Sequence, residues 1–519
     1  MLPDEQGGSC SGLVHDTVRS TSEGSQSRMK DVPQSQSTDH ARSHRRQDQS
    51  VVVSVTAVKC FLWYVAILLM VMSFPVQVYS GNPYPAMLPY AIGCLIFVIS
   101  TQRKKAIQPT KVVRGKRDDI LHLFAIYMSL VLLNTAWQSA AGFMTVSQAG
   151  NGVVVYLFPV AFFWYFREVA VPEETRAVLR AMVIAGLVVG VYFAYDSYLK
   201  LALHQVNAYS MKAFQYSLDR AGLTANQANQ MRISEGYRSL GLLESHGVSA
   251  AWVILGTLAA LSLIPTHRVI ARRSAVFVAS VLLLMGLNFT ALTAFGTLML
   301  LFEFGGSALL RGRVRRTAWR DVTMLASVVT VTVITAFAVA GDKMSLYINK
   351  NLVLQLDLLL GTGAREENGF FHIFLRHAKL YVEHLQEYPL TLLIGDGVAK
   401  YGGFKGGDIG HVDNLQRFGL PFYGVSIVAL IQVVRAGTRK PSAIAAQTFV
   451  GDTELSVDRL QVFVSCVVLM VLVMDGHYSV WAAKSIFPIL CFSLAMFDRH
   501  LRKECRTSGG FQRTRATDR

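Results

Sequence analysis

The sequence predicts an all-α integral membrane protein with about 12 transmembrane helices and a large external loop before the tenth span. Three observations predict this fold class. Of the 519 residues, 52% are hydrophobic and only 16% are charged. Apolar runs of about 20 residues, the length that crosses a hydrocarbon core, recur along the chain. Lysine and arginine cluster in alternate connections between these runs, which is the pattern that orients a membrane protein.

The predicted spans share an apolar run with few or no charged residues. They are 56–79, 86–102, 120–138, 150–166, 178–196, 248–265, 275–290, 292–310, 321–341, 419–435, 459–475 and 483–498. Basic connections such as 103–117 and 311–320 are expected in the cytoplasm, whereas the alternate connections 81–85 and 140–151 contain neither Lys nor Arg. An even number of spans then places both termini in the cytoplasm.

Three regions follow from composition. Residues 1–50 are rich in Ser, Gln and Arg and predict a disordered cytoplasmic tail, because they cannot bury enough apolar surface to fold. Residues 51–498 form the membrane domain, whose first helix is expected to be an uncleaved anchor. Residues 499–519 form a basic cytoplasmic tail.

The net charge of +16 would favour a nucleic-acid partner in a soluble protein. Here the basic residues orient the spans, so no nucleic-acid partner is expected. The sequence has no P-loop, no GxGxxG after a strand, no HExxH and no usable CxxC. We therefore expect no cofactor and no metal. None of the six cysteines falls in a predicted external loop, so no disulfide is expected either.

Two external loops are unusually long, at about 197–247 and 342–418, and long loops usually have a function. The second contains apolar residues at helical spacing, before Pro389 and a glycine-rich turn that we interpret as a hinge. These residues are Phe371, Phe374, Leu375, Ala378, Tyr381, Val382 and Leu385. The pattern predicts an amphipathic helix that lies against the outer membrane face.

Ionisable residues are rare within the spans and frequent in the external loops. Glu303 is the clearest acid inside a span, and we interpret it as a hydrogen-bonding residue rather than a proton relay. Arginine in the loops suits phosphate oxygens, and His or Asp can accept a proton from a hydroxyl. Such loops could hold a lipid diphosphate and activate a sugar hydroxyl. The simpler interpretation is that they are polar because they contact water.

Three short stretches carry a resemblance to a known family. They are Tyr-Arg-Ser-Leu-Gly-Leu-Leu-Glu-Ser-His-Gly at 237–247, Tyr-Pro-Leu-Thr-Leu-Leu-Ile-Gly-Asp-Gly at 388–397, and Gly-His-Val-Asp-Asn-Leu-Gln-Arg-Phe-Gly-Leu at 410–420. Their order and placement resemble the bacterial O-antigen polymerase and ligase superfamily of membrane-integral glycosyltransferases, over about residues 55–498. The polymerase branch is favoured, because His411 is followed by Val412 rather than by Asn, Ser or Gln. The stretch 293–296 lacks the arginine that the family has near the middle helices.

The resemblance implies an inverting transfer from an undecaprenyl-diphosphate-linked glycan, without metal or nucleotide. It implies that Arg238 binds the diphosphate with Arg376 or Arg365, and that His246 is a weaker neighbour. His411 or Asp413 would be the base that deprotonates the acceptor hydroxyl. The implied site lies at the periplasmic face of a bacterial inner membrane.

The implied partners are the undecaprenyl-diphosphate-linked oligosaccharide and the lipid bilayer, together with a flippase and a chain-length regulator. Two other functions stay open on sequence grounds. One is ligation of a finished glycan to a lipid or protein acceptor. The other is transport of a lipid or polysaccharide, which usually needs several carboxylates near the membrane midplane. A structural membrane protein without activity is disfavoured by the Arg- and His-rich external loops.

Overall fold

The computed structural model describes fourteen stretches of the chain and single helical positions between 327 and 345. The stretches are 37–81, 87–104, 119–201, 203, 205–221, 241–243, 245–265, 268–286, 289–304, 370–397, 409–437, 457–476, 478–481 and 483–499. The chain divides into two units, Met1–Ser54 and Val55–Arg519. The described residues of the first unit, 37–54, are helical, and the site described below lies in the second unit.

The described residues form helices and no strand. In chain order the helices are α1 Ser37–Ser80, α2 Leu88–Lys104, α3 Asp119–Ala140, α4 Val146–Glu168, α5 Pro172–Leu201, α6 Ala208–Ala221, α7 His246–Leu263, α8 Val269–Met285, α9 Phe289–Phe304, α10 Phe370–Glu387, α11 Thr391–Ile394, α12 Gly410–Phe418, α13 Leu420–Gly437 and α14 Val457–Met474. A last helix, α15, covers 487–499. The first helix begins at Ser37, inside the segment 1–50 that composition predicts as a tail.

Several of these helices are long and apolar enough to cross a membrane. Among the described residues they are Val55–Ser80, Ile120–Ala140, Val146–Glu168, Pro172–Lys200 and His246–Leu263. Shorter apolar helices cover Leu88–Ser100, Thr290–Met299, Leu420–Arg435 and Arg459–Met474. The all-helical prediction is thereby confirmed for the described residues, and their long apolar helices are compatible with a membrane-embedded protein. The number of about 12 spans stays a prediction, since most of span 321–341 lies outside the described residues.

Polar residues at the helix starts explain where boundaries differ from the predicted spans. Helix α4 begins at Val146 rather than 150, because Thr145 and Gln148 form a reciprocal capping box. Helix α5 begins at Pro172 rather than 178, with Glu173 and Glu174 in its first turn. Hydropathy finds the apolar part of a helix and misses these polar first turns.

Helices α5 and α7 cross closely at two glycines near the centre of the bundle. A Cβ atom on Gly186 would lie 2.8 Å from the Cα atom of Gly256 and 2.7 Å from the Trp252 carbonyl oxygen. Small residues allow this approach, which maximises packing where the solvent is lipid. Helix α7 is almost entirely buried, and α14 packs against it. Helices α7 and α14 carry part of the polar site described below, because His246 begins α7 and Asp475 directly follows α14.

Candidate functional site

The polar site lies where two helical segments are interrupted inside the bundle. The described residues between 475 and 486 are not helical, although they connect α14 to α15. Helix α12 ends at Gly419, which has a φ of +74° and separates it from α13. Irregular backbone within a membrane domain requires protein groups to satisfy its hydrogen bonds. The side chains that form these hydrogen bonds identify the site.

Asp475 provides hydrogen-bond acceptors at the first interruption, between α14 and α15. Its fully buried carboxylate accepts the backbone N–H groups of Val480 (2.8 Å) and Trp481 (2.9 Å) through Oδ1. Its Oδ2 accepts Nδ2 of Asn414 at 2.6 Å, and its carbonyl accepts the N–H of His411 at 2.9 Å. Asp475 directly follows Met474, the last residue of α14.

Asp413 and Arg417 form an ion pair on one face of α12. Asp413 Oδ2 accepts Nε of Arg417 at 2.9 Å and Oγ of Ser479 at 2.6 Å. An Nη1 group of Arg417 donates to the hydroxyl of Tyr156, and the guanidinium lies 5.8 Å from the centre of that ring. These contacts join α12 to α4 and to the irregular segment before α15.

Arg417 is one of the residues that line a small apolar cleft. Its lining residues are Leu130, Val131, Asn134, Tyr156, Ile394, Gly397, Arg417 and Phe418. Tyr156 lies ten residues after Val146, so it is about 15 Å along α4 from that end of the helix. Within the part of the chain that the structure describes, Nη2 of Arg417 makes no hydrogen bond. The cleft therefore combines an apolar wall with a cation that retains donors.

His411 lies in the same short helix as Asp413. Its Nδ1 contacts the hydroxyl of Tyr423, and a backbone hydrogen bond joins it to Leu472. Burial lowers the pKa of His411, and the bond to Leu472 acts in the opposite direction. The imidazole is consequently neutral at neutral pH, which is the form that can accept a proton.

His246 is connected to this cluster through Tyr478. Its Nε2 lies 2.8 Å from the Tyr478 hydroxyl, and the two rings meet edge to face at 4.8 Å. Tyr478 precedes Ser479, the residue that donates to Asp413. The structure thus connects His246 to Asp413 through the neighbouring residues Tyr478 and Ser479, and His411 lies two residues before Asp413 in α12. The roles of these three residues stay predictions.

The three arginines that were expected to bind diphosphate cannot be placed. Arg238 and Arg365 lie outside the described residues, and Arg376 has only its backbone described, within α10. Their roles stay predictions. Arg417 was not among the chosen residues, although its spacing of four from Asp413 is a signal for a pair on one helix face.

A second buried cluster, around Asp396, fixes α10 and α11 to α12. Asp396 accepts hydrogen bonds from Nε2 of Gln416 (2.5 Å) and Oγ1 of Thr391 (2.5 Å), and its own N–H donates to the Gln416 carbonyl (2.6 Å). Nε2 of His384 lies 2.9 Å from its Oδ2. Sequence reasoning missed Asp396, Asp475 and Asn414, because their hydrogen-bond partners are distant in sequence.

At the glycines beside Asp396 the chain passes close to the backbone of α12, so this part of the glycine-rich turn is more than a hinge. Gly395 has a φ of +72°, and a Cβ atom there would overlap the Arg417 carbonyl group. The N–H of Gly397 donates to the Arg417 carbonyl at 3.0 Å. The turn 395–397 therefore sets the position of Arg417.

The apolar face of α10 packs partly against protein. Tyr381 and Leu385 contact Ile409 and Val412. Leu375 and Val382, from the same predicted face, are exposed. Whether this helix rests on a membrane surface stays a prediction.

Within the described ranges, no group of three or more His, Cys, Asp or Glu side chains is placed to hold a metal ion. The sequence matches no family model, and it matches none of the curated proteins. The resemblance to the polymerase and ligase superfamily accordingly depends on the three stretches and their order.

Proposed function

We propose that this protein is a membrane glycosyltransferase that lengthens a surface polysaccharide. It would transfer an undecaprenyl-diphosphate-linked glycan to the hydroxyl of an acceptor sugar at the periplasmic face. One observation carries the proposal: Arg417 lines an apolar cleft next to Tyr156 of α4, and its guanidinium is paired with the Asp413 carboxylate. An isoprenoid diphosphate has the matching chemistry, with an apolar chain joined to an anionic group.

Arg417 takes the role of a diphosphate ligand in this proposal, next to the expected Arg238 and Arg376 or Arg365. Its Nε is held by Asp413, and its Nη1 by Tyr156, which fixes the guanidinium plane. The donors that remain can meet the charge that develops on the leaving diphosphate. A fixed cation requires no reorganisation during the reaction, which is the advantage of such preorganisation.

Of the two candidate bases, His411 suits the role of proton acceptor better than Asp413 does. Asp413 is buried and already engaged with Arg417 and Ser479, an arrangement that suits the positioning of the guanidinium. His411 is half-buried and neutral, so it can receive a proton. Its contact with Tyr423 orients the ring. Asp475 is enclosed by backbone donors and supports the loop.

The proposed step balances without a metal or a nucleotide. The acceptor oxygen attacks the anomeric carbon of the donor glycan, and the bond from that carbon to the diphosphate oxygen breaks. The bonding electrons leave with undecaprenyl diphosphate, and the hydroxyl proton goes to the base. Attack opposite to the leaving group inverts the anomeric centre. About 12 spans with both termini in the cytoplasm would place this site at the periplasmic side.

The test is a deletion strain whose lipid-linked glycans are separated by length. Loss of a polymerase leaves single repeat units on the lipid carrier, and the plasmid-borne gene restores long chains. Loss of a ligase would leave finished polymer on the carrier. Loss of a transporter would leave the glycan on the cytoplasmic side, where a periplasmic glycosidase cannot reach it. Either of the last two patterns would refute polymerisation.

A further inference from the structure

The segment that precedes the glycine turn exposes a run of apolar side chains. Leu390 and Leu393 are 59% and 57% exposed, and Leu392 and Ile394 are exposed as well. Only Thr391 of this run is buried, where its hydroxyl donates to Asp396. Four adjacent apolar residues facing water would be unfavourable, so their surroundings require an explanation.

Asn134 fixes this segment beside the middle part of α3. Its Nδ2 donates to the carbonyl oxygens of Ile394 (2.8 Å) and Gly395 (2.9 Å). Asn134 lies six residues before Ala140, which places the contact about 9 Å along α3 from that end. The neighbouring Leu133 is 68% exposed on α3, one of the helices long and apolar enough to cross a membrane. The leucine segment therefore lies alongside an apolar helix surface, away from the end of the helix.

The backbone N–H groups of the segment are satisfied internally. Successive N–H groups from Thr391 to Gly397 all donate to carbonyl oxygens of the protein, at Tyr388, Pro389, Leu390, Thr391, Gln416 and Arg417. A loop in water has no such requirement, because water can satisfy its polar groups. Non-helical backbone at membrane depth does have it, since hydrocarbon offers no hydrogen bonds.

We propose that residues 390–394 form a re-entrant segment, whose leucines contact the lipid acyl chains beside α3. Helix α10, which precedes it, exposes the Lys379–Glu383 pair and stays on the aqueous side. The inference is independent of the proposed glycosyltransferase activity. Ile394 and Gly397 also line the Arg417 cleft, so one wall of that cleft borders the lipid.

The test measures depth at single introduced cysteines in the full-length chain. Cys466 and Cys491 are buried and kept, whereas the other four natural cysteines are replaced by Ser. The variants Leu393→Cys and Leu390→Cys carry a bimane fluorophore in liposomes. Leu133→Cys on α3 is the control for lipid exposure, and Glu383→Cys on α10 is the control for water exposure. Quenching is measured with aqueous iodide and with lipids that carry a nitroxide on the acyl chain.

We expect the acyl-chain nitroxide to quench positions 390 and 393 as strongly as position 133, with iodide quenching at least fivefold weaker than at position 383. Iodide quenching equal to that at position 383 would show a water-exposed loop and overturn the proposal. Quenching by neither reagent would show that protein, such as a second copy of the chain, covers the leucines, and it would overturn the proposal too. Two leucine positions are used so that misfolding of one variant leaves the other as the readout.

Discussion

Asp413 and Arg417 form an ion pair within one turn of α12, with 2.9 Å between Oδ2 and Nε, in which Asp413 is buried and Arg417 partly buried. Arg417 extends from this pair to Tyr156 of α4. Charges inside an apolar bundle are costly unless they are paired. The pair is therefore tolerated only with its whole hydrogen-bond set, which includes Ser479. This explains why α12 sits against both α4 and the irregular segment before α15.

Replacing Arg417 should show whether its charge is needed for polysaccharide synthesis or only for the stability of the fold. Arg417→Ala leaves Asp413 buried without its cation, which costs about 3–5 kcal/mol of stability. The double variant with Asp413→Ala removes both charges and should recover most of the apparent Tm in detergent. Long-chain polysaccharide should be absent in both variants, because neither can hold the diphosphate. Long chains in the stable double variant would remove Arg417 from the proposed site.

Arg238→Ala should leave the protein level intact and abolish long-chain surface polysaccharide, because the donor loses an anchoring charge. The readout is a gel that separates glycans by length, alongside an immunoblot of the membrane fraction. Arg180→Ala is the matched control, since Arg180 is an exposed arginine near the start of α5. Normal chain length in the Arg238 variant would exclude this residue from diphosphate binding.

Asp475 should stabilise the irregular segment before α15. Its Oδ1 accepts the backbone N–H groups of Val480 and Trp481. Asp475→Ala leaves both groups without this acceptor, and a buried unsatisfied donor costs about 1–3 kcal/mol. Asp475→Asn keeps an acceptor for both groups and is the control. We expect the apparent Tm in detergent to fall further for Asp475→Ala than for Asp475→Asn, and equal Tm values would contradict the assignment.

Gly395→Ala should destabilise the turn that positions Arg417. A side chain at φ +72° costs about 1–2 kcal/mol, and the new Cβ would also overlap the Arg417 carbonyl group. Gly424→Ala in α13 is the control, because a Cβ atom there meets no atom within 4 Å. Alanine inside a helix should stabilise by about 0.5–1 kcal/mol over glycine. Thermal unfolding in detergent measures both, and equal Tm values for the two variants would refute the role of the turn.

The sequence by itself determined that this is a helical membrane protein, and it located most of the described spans to within a few residues. Hydropathy and charge distribution are local properties, so they can be read along the chain without knowing which helices touch. Predicted spans 419–435 and 459–475 correspond to α13 and α14 for this reason. The choice of His411 and Asp413 came from the family resemblance of the segment 410–420, and their roles stay predictions. The structure places both residues on one short helix.

Only the tertiary structure decided which side chains meet. Arg417 contacts Tyr156, Asp475 holds Asn414, and Asn134 holds Ile394, and each of these pairs joins residues far apart in the chain. Hydropathy gives no information about such pairs, since polar groups within an apolar bundle find partners wherever packing brings a donor next to an acceptor. Helix packing therefore decides where the helices are interrupted. It also decides which side chains form hydrogen bonds with the backbone groups at the interruptions.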